Sequence, residues 1–234
     1  MTDAYDLTIE EGSPKQIALE MLRAYVTYRG GKLNNLLDTG CGDGTLAFLI
    51  KKEGLAQNVY GVDIDENLLQ IAKRRGILVY RVNLEIEKLP FQNEYFDAVL
   101  LIDVIEHIIN IDNILREIYR VLKKTGVLVL STPNIQFIYH IVRLFMGYGP
   151  RTSFHRSKSV SYYRSELYDG GHVHYFTVKD IYDLLNTYGF ICVKTKGTYN
   201  VSKKIVRKIM KLASKSSLLL QFLCPGFVVQ CIKG

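Results

Sequence analysis

Short apolar runs that read as buried strands alternate along the chain with stretches whose apolar residues recur every three or four positions. The runs are LNNLLDTG, NVYGVDID, ILVYRVN, FDAVLLID, GVLVLSTP, FICVKTK and GFVVQCIK. Between them TLAFLIKKEG, ENLLQIAKRRG, IDNILREIYRVLKKTG and TVKDIYDLLNTYG have helical spacing, and each ends at or near a glycine suited to stop a helix. In the third of these, Ile111, Ile114, Leu115, Ile118, Val121 and Leu122 make one stripe for the core. Lys123 and Lys124 fall in its expected last turn, where the helix dipole favours cations. Continuous apolar strands separated by helices predict an α/β domain: a mostly parallel seven-stranded sheet with helices on both faces.

Two stretches break the alternation. Residues 134–176 exceed the ~12 to 15 residues of a plain loop, as a lid or a small added subdomain would; a lid inserted after the fifth strand is expected, followed by a helix from about Thr177. Residues 201–217, VSKKIVRKIMKLASKSS, predict a basic helix inserted before the last strand. Ile205, Ile209 and Leu212 share one face of it, with Lys204, Lys208, Lys211 and Lys215 spread over the other. One domain over residues 1–234 accommodates all of this, and such a length buries roughly 70 to 75% of the surface that the unfolded chain exposes.

Charge changes the reading of the basic segment. The net charge is +7, yet from Leu184 onward there is no Asp or Glu and there are nine basic residues, while the residues before it carry 21 basic and 23 acidic. The segment therefore suits an anionic membrane surface or an acidic lipid-like substrate, with packing on the protein's own sheet edge as the plainer alternative. Nucleic acid is disfavoured, because one basic helix without a binding module is a weak footprint. Cys41, Cys192, Cys224 and Cys231 contain no C-x-x-C pair and are too few for a disulfide framework, which points to a reducing cytoplasm. The start, MTDAYDLTIEEGSPK, lacks the character of a signal peptide, and LLLQFLCPGFVVQCI is too short and too broken to span a membrane.

The motif DTGCGDGT follows the first strand run, where sheets of this kind bind ligands. Gly40, Gly42 and Gly44 let a ligand approach the backbone and free helix N-terminal amides to donate, although a tight strand-to-helix turn also uses glycines. The spacing is G-x-G-x-G and not the G-x-G-x-x-G of dinucleotide folds, which weakens a pyrophosphate reading. Asp63 ends the second strand run, the placement of an acidic residue that accepts both ribose hydroxyls of a nucleoside. Asp65 reads as the N-cap of the next helix.

With these residues in place the chain resembles the class I S-adenosylmethionine-dependent methyltransferases. LLDTGCGDG, VYGVDID, RVNLEIEKLPF, FDAVLLIDVIEHI and VLKKTGVLVLSTPN resemble that family's five motifs in order, over about residues 33 to 134. VIEHI, STPN and GGHVHYFTVKDIYDLLNTYGF are most similar to the branch of ubiquinone-biosynthesis and methionine-biosynthesis-type domains. The resemblance implies a Rossmann-like fold and S-adenosylmethionine as cofactor. It implies that Asp38 and the amides at Gly40, Gly42 and Gly44 hold the amino acid end and that Asp63 takes the ribose. Ile64 would pack on the adenine, Leu84 would flank it, and Asp103 would lie beside the methionine chain. Asn83 stands where many members have Asp, and its amide oxygen can accept the adenine amine without charge assistance.

His107 is the candidate general base, since imidazole titrates near neutrality; a pocket-shaping role is the alternative, and Glu106 reads as structural. The 134–176 insert holds His140, His155, His172 and His174 together with tyrosines and basic residues, which suits a planar or anionic acceptor. His172 and His174 alternate as metal ligands could, with His155 or Asp169, but the resemblance puts packing or substrate contact there and no metal is expected. The expected activity is O- or C-methylation of a small or lipid-like acceptor. A noncatalytic cofactor-binding module is the rival, and a nicotinamide-dependent oxidoreductase comes third.

Overall fold

Among the residues it describes, 8–148 and 172–234, the computed structural model holds one seven-stranded sheet between two helical layers. The chain runs α1 (Pro14–Arg29), β1 (Leu33–Thr39), α2 (Thr45–Lys52), β2 (Ala56–Asp63), α3 (Glu66–Arg74), β3 (Leu78–Arg81) and β4 (Phe96–Ile102). It continues through a 3₁₀ turn (Ile105–His107), α4 (Ile111–Val121), β5 (Leu122–Pro133), α5 (Ile138–Phe145) and α6 (Val178–Thr187). β6 (Phe190–Gly197), α7 (Lys204–Ala213), α8 (Leu219–Leu223) and β7 (Gly226–Lys233) complete it. The strand order is β3-β2-β1-β4-β5-β7-β6, parallel except for β7, which runs antiparallel to both β5 and β6.

Side-chain alternation along the buried strands feeds two cores. Leu37, Val99 and Leu101 join the side packed by Ile114 and Ile118 of α4 and Ile181 of α6. Leu36, Ala98 and Leu100 join the opposite side, packed by Met21 and Leu22 of α1 and Leu46 of α2. Asp65 caps α3 as expected, accepting from the amides of Asn67 and Leu68. Thr177 caps α6 in a capping box with Asp180.

The structure corrects three expectations and adds one helix. Helix α4 ends at Val121, and Lys123 and Lys124 belong to β5. The reason lies next door: Asp97, almost fully buried, draws Lys123 and Arg29 into ion pairs and accepts from the amides of Asn34 and Asn35, while Leu122 pairs with Phe96. Helix α1, which lies outside the alternation read from the sequence, is opened by Ser13 as N-cap with Pro14 behind it and closed by Gly30 in the left-handed conformation. Residues 201–217 are not one helix: α7 stops at Ala213 and α8 follows separately. Cys192 and Cys231, facing each other across β6 and β7, form a disulfide, which separate strands give the sequence no means of announcing.

Of the expected lid, residues 134–148, with α5, and 172–176 are described; His155 and Asp169 lie outside the described residues. Among the described residues no helix is long and apolar enough to cross a membrane.

Candidate active site

Strand order reverses between β1 and β4, so a crevice opens at their C-terminal ends. Three chain segments arrive there: the glycine loop after β1, Asp63 at the end of β2 and Asp103 after β4. Gly40, Gly42 and Gly44 all take positive φ, at +72°, +53° and +75°. A Cβ at Gly40 would overlap Val104 and one at Gly44 would lie 2.7 Å from Ala72, so these two are closed in by packing. A Cβ at Gly42 meets nothing within 4 Å, leaving open space directly above the loop.

Asp63 fastens this cradle. Its Oδ2 accepts from the Gly42 amide at 2.8 Å and its Oδ1 from the Asp65 amide at 3.0 Å. A carboxylate has about four acceptor sites, so two remain for ligand hydroxyls. Asp38, at 3% exposure, lies beneath the loop. Burial pushes its carboxyl up to about 7; Lys15 opposes the rise, and the nearby charges of Asp63 and Asp43 add to it. Asp43 serves the loop itself, accepting from Thr45 and pairing with Arg75 at 2.8 Å.

Beyond β2, Ile64 is 52% exposed and offers an apolar surface to the crevice. The Asn83 side-chain oxygen accepts from the Glu85 amide, and Leu84 turns its side chain into the core while its carbonyl accepts from Asn113. The amides of Gly40, Gly42 and Gly44, expected to hold a ligand, are instead engaged within the protein, because the tight turn uses them to close itself. They donate to the Val62 carbonyl at 2.8 Å, to Asp63 and to the Cys41 carbonyl at 3.0 Å, respectively. The open space above Gly42, two carboxylates and an exposed Ile are what fit a nucleoside joined to an amino acid.

Asp103 closes the other side. It adopts φ +54°, rare for a residue with a side chain, and is locked there by Ser131: the Asp103 amide donates to Ser131 Oγ at 2.9 Å, and that hydroxyl donates to Asp103 Oδ1 at 2.6 Å. Water reaches Asp103 from the crevice, but the surrounding protein raises its pKa, with Ser131 opposing.

Asp103 also lines a cavity of about 260 Å³ bounded by Glu106, His107, Thr132, His172 and Asn200. Glu106 is 1% exposed, and neither carboxylate oxygen has a hydrogen bond among the described residues. Burial pushes it up to about 8, Asp103 adding to the rise. The Glu106 carbonyl accepts from the amides of Val173 and His174, which seats His172 against His107 with ring centroids 4.8 Å apart, edge to face. The Nδ1 atoms of both histidines are buried without a partner among the described residues, and desolvation together with His107 brings His172 down to about 4.

Glu106, His107 and His172 thus place ligand-type atoms within 4.8 Å of one another, a set whose chemistry would accept a divalent cation. His174 is outside this set and packs its ring near Phe176. Sequence reasoning missed Asn200 and the wall supplied by Pro14 and Pro225, residues from three distant segments with no motif among them, and gave no role to Thr132, although it lies within the STPN motif.

The sheet order, the glycine loop, the acidic end of β2 and the cavity beside Asp103 together define a class I S-adenosylmethionine-dependent methyltransferase. A family described as a methyltransferase domain matches residues 14–195, and the chain belongs to it. The mitochondrial ubiquinone biosynthesis O-methyltransferase of Saccharomyces cerevisiae is 28% identical over 137 residues, 54% of this chain and 44% of that protein. The 2-phytyl-1,4-naphtoquinone methyltransferase of Trichormus variabilis is 36% identical over 110 residues, 43% of this chain and 48% of that one. The chain thus spans less than half the length of these two relatives. An S-adenosylmethionine-dependent methyltransferase from Mesorhizobium loti shares the fold, with TM-score 0.64 over 94% of this chain and 98% of that one at 20% identity.

Proposed function

We propose that the chain methylates a small, planar, lipid-like acceptor on oxygen or carbon, using S-adenosylmethionine. The observation that carries the reading is that Asp103 is shared: it borders the glycine-loop crevice and lines the cavity that holds His107. A noncatalytic binding module needs the first compartment and not the second. Relatives named for ubiquinone biosynthesis and for 2-phytyl-1,4-naphtoquinone support an aromatic acceptor with an apolar tail.

When bound, S-adenosylmethionine supplies an electrophilic methyl group. Asp38 and the open space above Gly42 suit its amino acid end, Asp63 its ribose, and Ile64 and Asn83 its adenine, with Asp103 beside the methionine chain. His107 takes the proton of the acceptor hydroxyl, and His172 holds the imidazole against the cavity wall. Orientation of the acceptor supplies most of the acceleration, as in-line displacement demands. An acceptor with an apolar tail partitions into bilayers, and the basic segment 201–217 would bring the protein to an anionic one.

Calorimetry against S-adenosylmethionine, S-adenosylhomocysteine and the nicotinamide dinucleotides tests the cofactor. A product-release assay with catechols and hydroquinones carrying apolar tails then tests the acceptor. Binding of the first two ligands alone with turnover of a tailed phenol is expected. Binding without turnover of any acceptor favours the noncatalytic module, and binding of a dinucleotide alone overturns the reading.

A further inference from the structure

Helix α7 does not pack through the stripe that its sequence advertises. Val206, Met210 and Ala213 face the protein, and Ile205, Ile209 and Leu212 stand in solvent at 77%, 54% and 72% exposure. Glu11 pins one side of the helix through Lys211 at 2.7 Å. Lys204, Lys208 and Lys215 flank the exposed apolar ridge and make no ion pair among the described residues. Next along the chain, Leu218, Leu219 and Phe222 of the α8 turn are exposed as well.

The position of this ridge matters as much as its composition. The segment that carries α7 and α8 is rooted in the cavity at both ends: Thr198 and Asn200 line the cavity where the segment leaves β6, and Pro225 and Gly226 line it where the segment returns to β7. Asn134 donates to the carbonyls of Gln221 and Cys224, tying the start of the segment that leads to α5 onto α8. Helix α5 in turn exposes Val142 and Phe145, the latter at 89%.

We propose that α7 and α8, aided by α5, form a docking face for the surface of an anionic bilayer, and that docking sets the cavity mouth at the lipid surface. Aliphatic side chains enter the acyl boundary while the flanking lysines meet headgroup phosphates. A second copy of the chain is a poorer occupant, because a two-fold contact would set these lysines against their own equivalents with no acid from Leu184 onward to neutralise them. Nucleic acid is poorer too, because the centre of the ridge is aliphatic and offers no stacking platform. The inference rests on the reading above only for the lipid-like nature of the acceptor.

Vesicle flotation tests it with purified full chain, phosphatidylcholine vesicles and vesicles containing one third phosphatidylglycerol. Wild type is expected to float with the anionic vesicles alone and to be released by high salt. The triple variant Ile205→Ser, Ile209→Ser, Leu212→Ser should lose at least ten-fold in bound fraction, as should Lys204→Gln, Lys208→Gln, Lys215→Gln. Each variant should keep wild-type S-adenosylhomocysteine affinity by calorimetry, so that loss of docking is read apart from failure of the cofactor site. No flotation, flotation unchanged in both triple variants, or a concentration-dependent dimer by light scattering that the serine variant abolishes would each overturn the proposal.

Discussion

The carboxylate of Asp63 reaches back from the end of β2 to accept the amide of Gly42 at 2.8 Å, so the acidic residue expected to read a ribose also fixes the loop expected to hold the amino acid end. Asp63→Ala should therefore damage both halves of the cofactor site. Charged hydrogen bonds contribute about 1.5 to 3 kcal/mol each, so a loss of at least about 10- to 150-fold in S-adenosylhomocysteine affinity is expected by calorimetry. Wild-type affinity would remove Asp63 from the site.

Gly42 and Gly54 separate ligand approach from backbone strain. Both have positive φ, at +53° and +67°, and both leave an added Cβ with nothing within 4 Å, but Gly54 follows α2, away from the crevice. Each Gly→Ala change places a side chain in the left-handed region at a penalty of about 1 to 2 kcal/mol, which should lower Tm by a few degrees in either variant. Only Gly42→Ala should lose cofactor affinity, by ten-fold or more. Equal affinities in the two variants would mean that the space above Gly42 is not where the ligand sits.

The parts legible in the sequence are those whose burial is local. β4 is buried at every position, and a parallel strand covered on both faces leaves a continuous apolar run. Gly40 to Gly44 and Asp63 are legible because the turn chemistry is written in adjacent residues. Helix α1 was hidden by its polar opening, though Ser13-Pro14 and Gly30 mark its ends. The end of α4 was lost because Lys123 reads equally well as a helix C-terminus and as the partner of Asp97, and only the strand pairing decides. The acceptor cavity was legible only in part: Asp103, His107 and His172 stand in readable segments, whereas Pro14, Thr132, Asn200 and Pro225 join them only once the sheet has formed.

Asp38 gives stability a pH dependence. Its folded pKa, raised from 3.8 to about 7, means that the native state holds a proton the unfolded chain has released across that window. The contribution is full below 3.8 and is lost as pH rises through about 7, because ∂ΔG/∂pH follows the protons bound by the unfolded state minus those bound by the native one. Asp38→Asn removes this term. Thermal unfolding of the ligand-free protein should show the variant gaining on wild type between pH 4 and 7 and holding a gain of about 2 to 4 kcal/mol above it. Parallel pH curves for the two proteins would show that Asp38 is ionised in the fold.

His107 and His172 touch edge to face in the cavity wall, and their roles separate in kinetics. The buried Nδ1 of His107 has no partner among the described residues, so His107→Ala leaves none of them unpaired at that atom. If the imidazole takes the acceptor proton, turnover should fall by roughly 10² to 10⁴ with cofactor affinity within two-fold of wild type. His172→Ala removes only the ring that supports it and should reduce turnover by less than ten-fold. A His107→Ala variant that keeps full turnover, or that loses cofactor binding in proportion to activity, would make His107 part of the pocket wall and leave proton removal to another group.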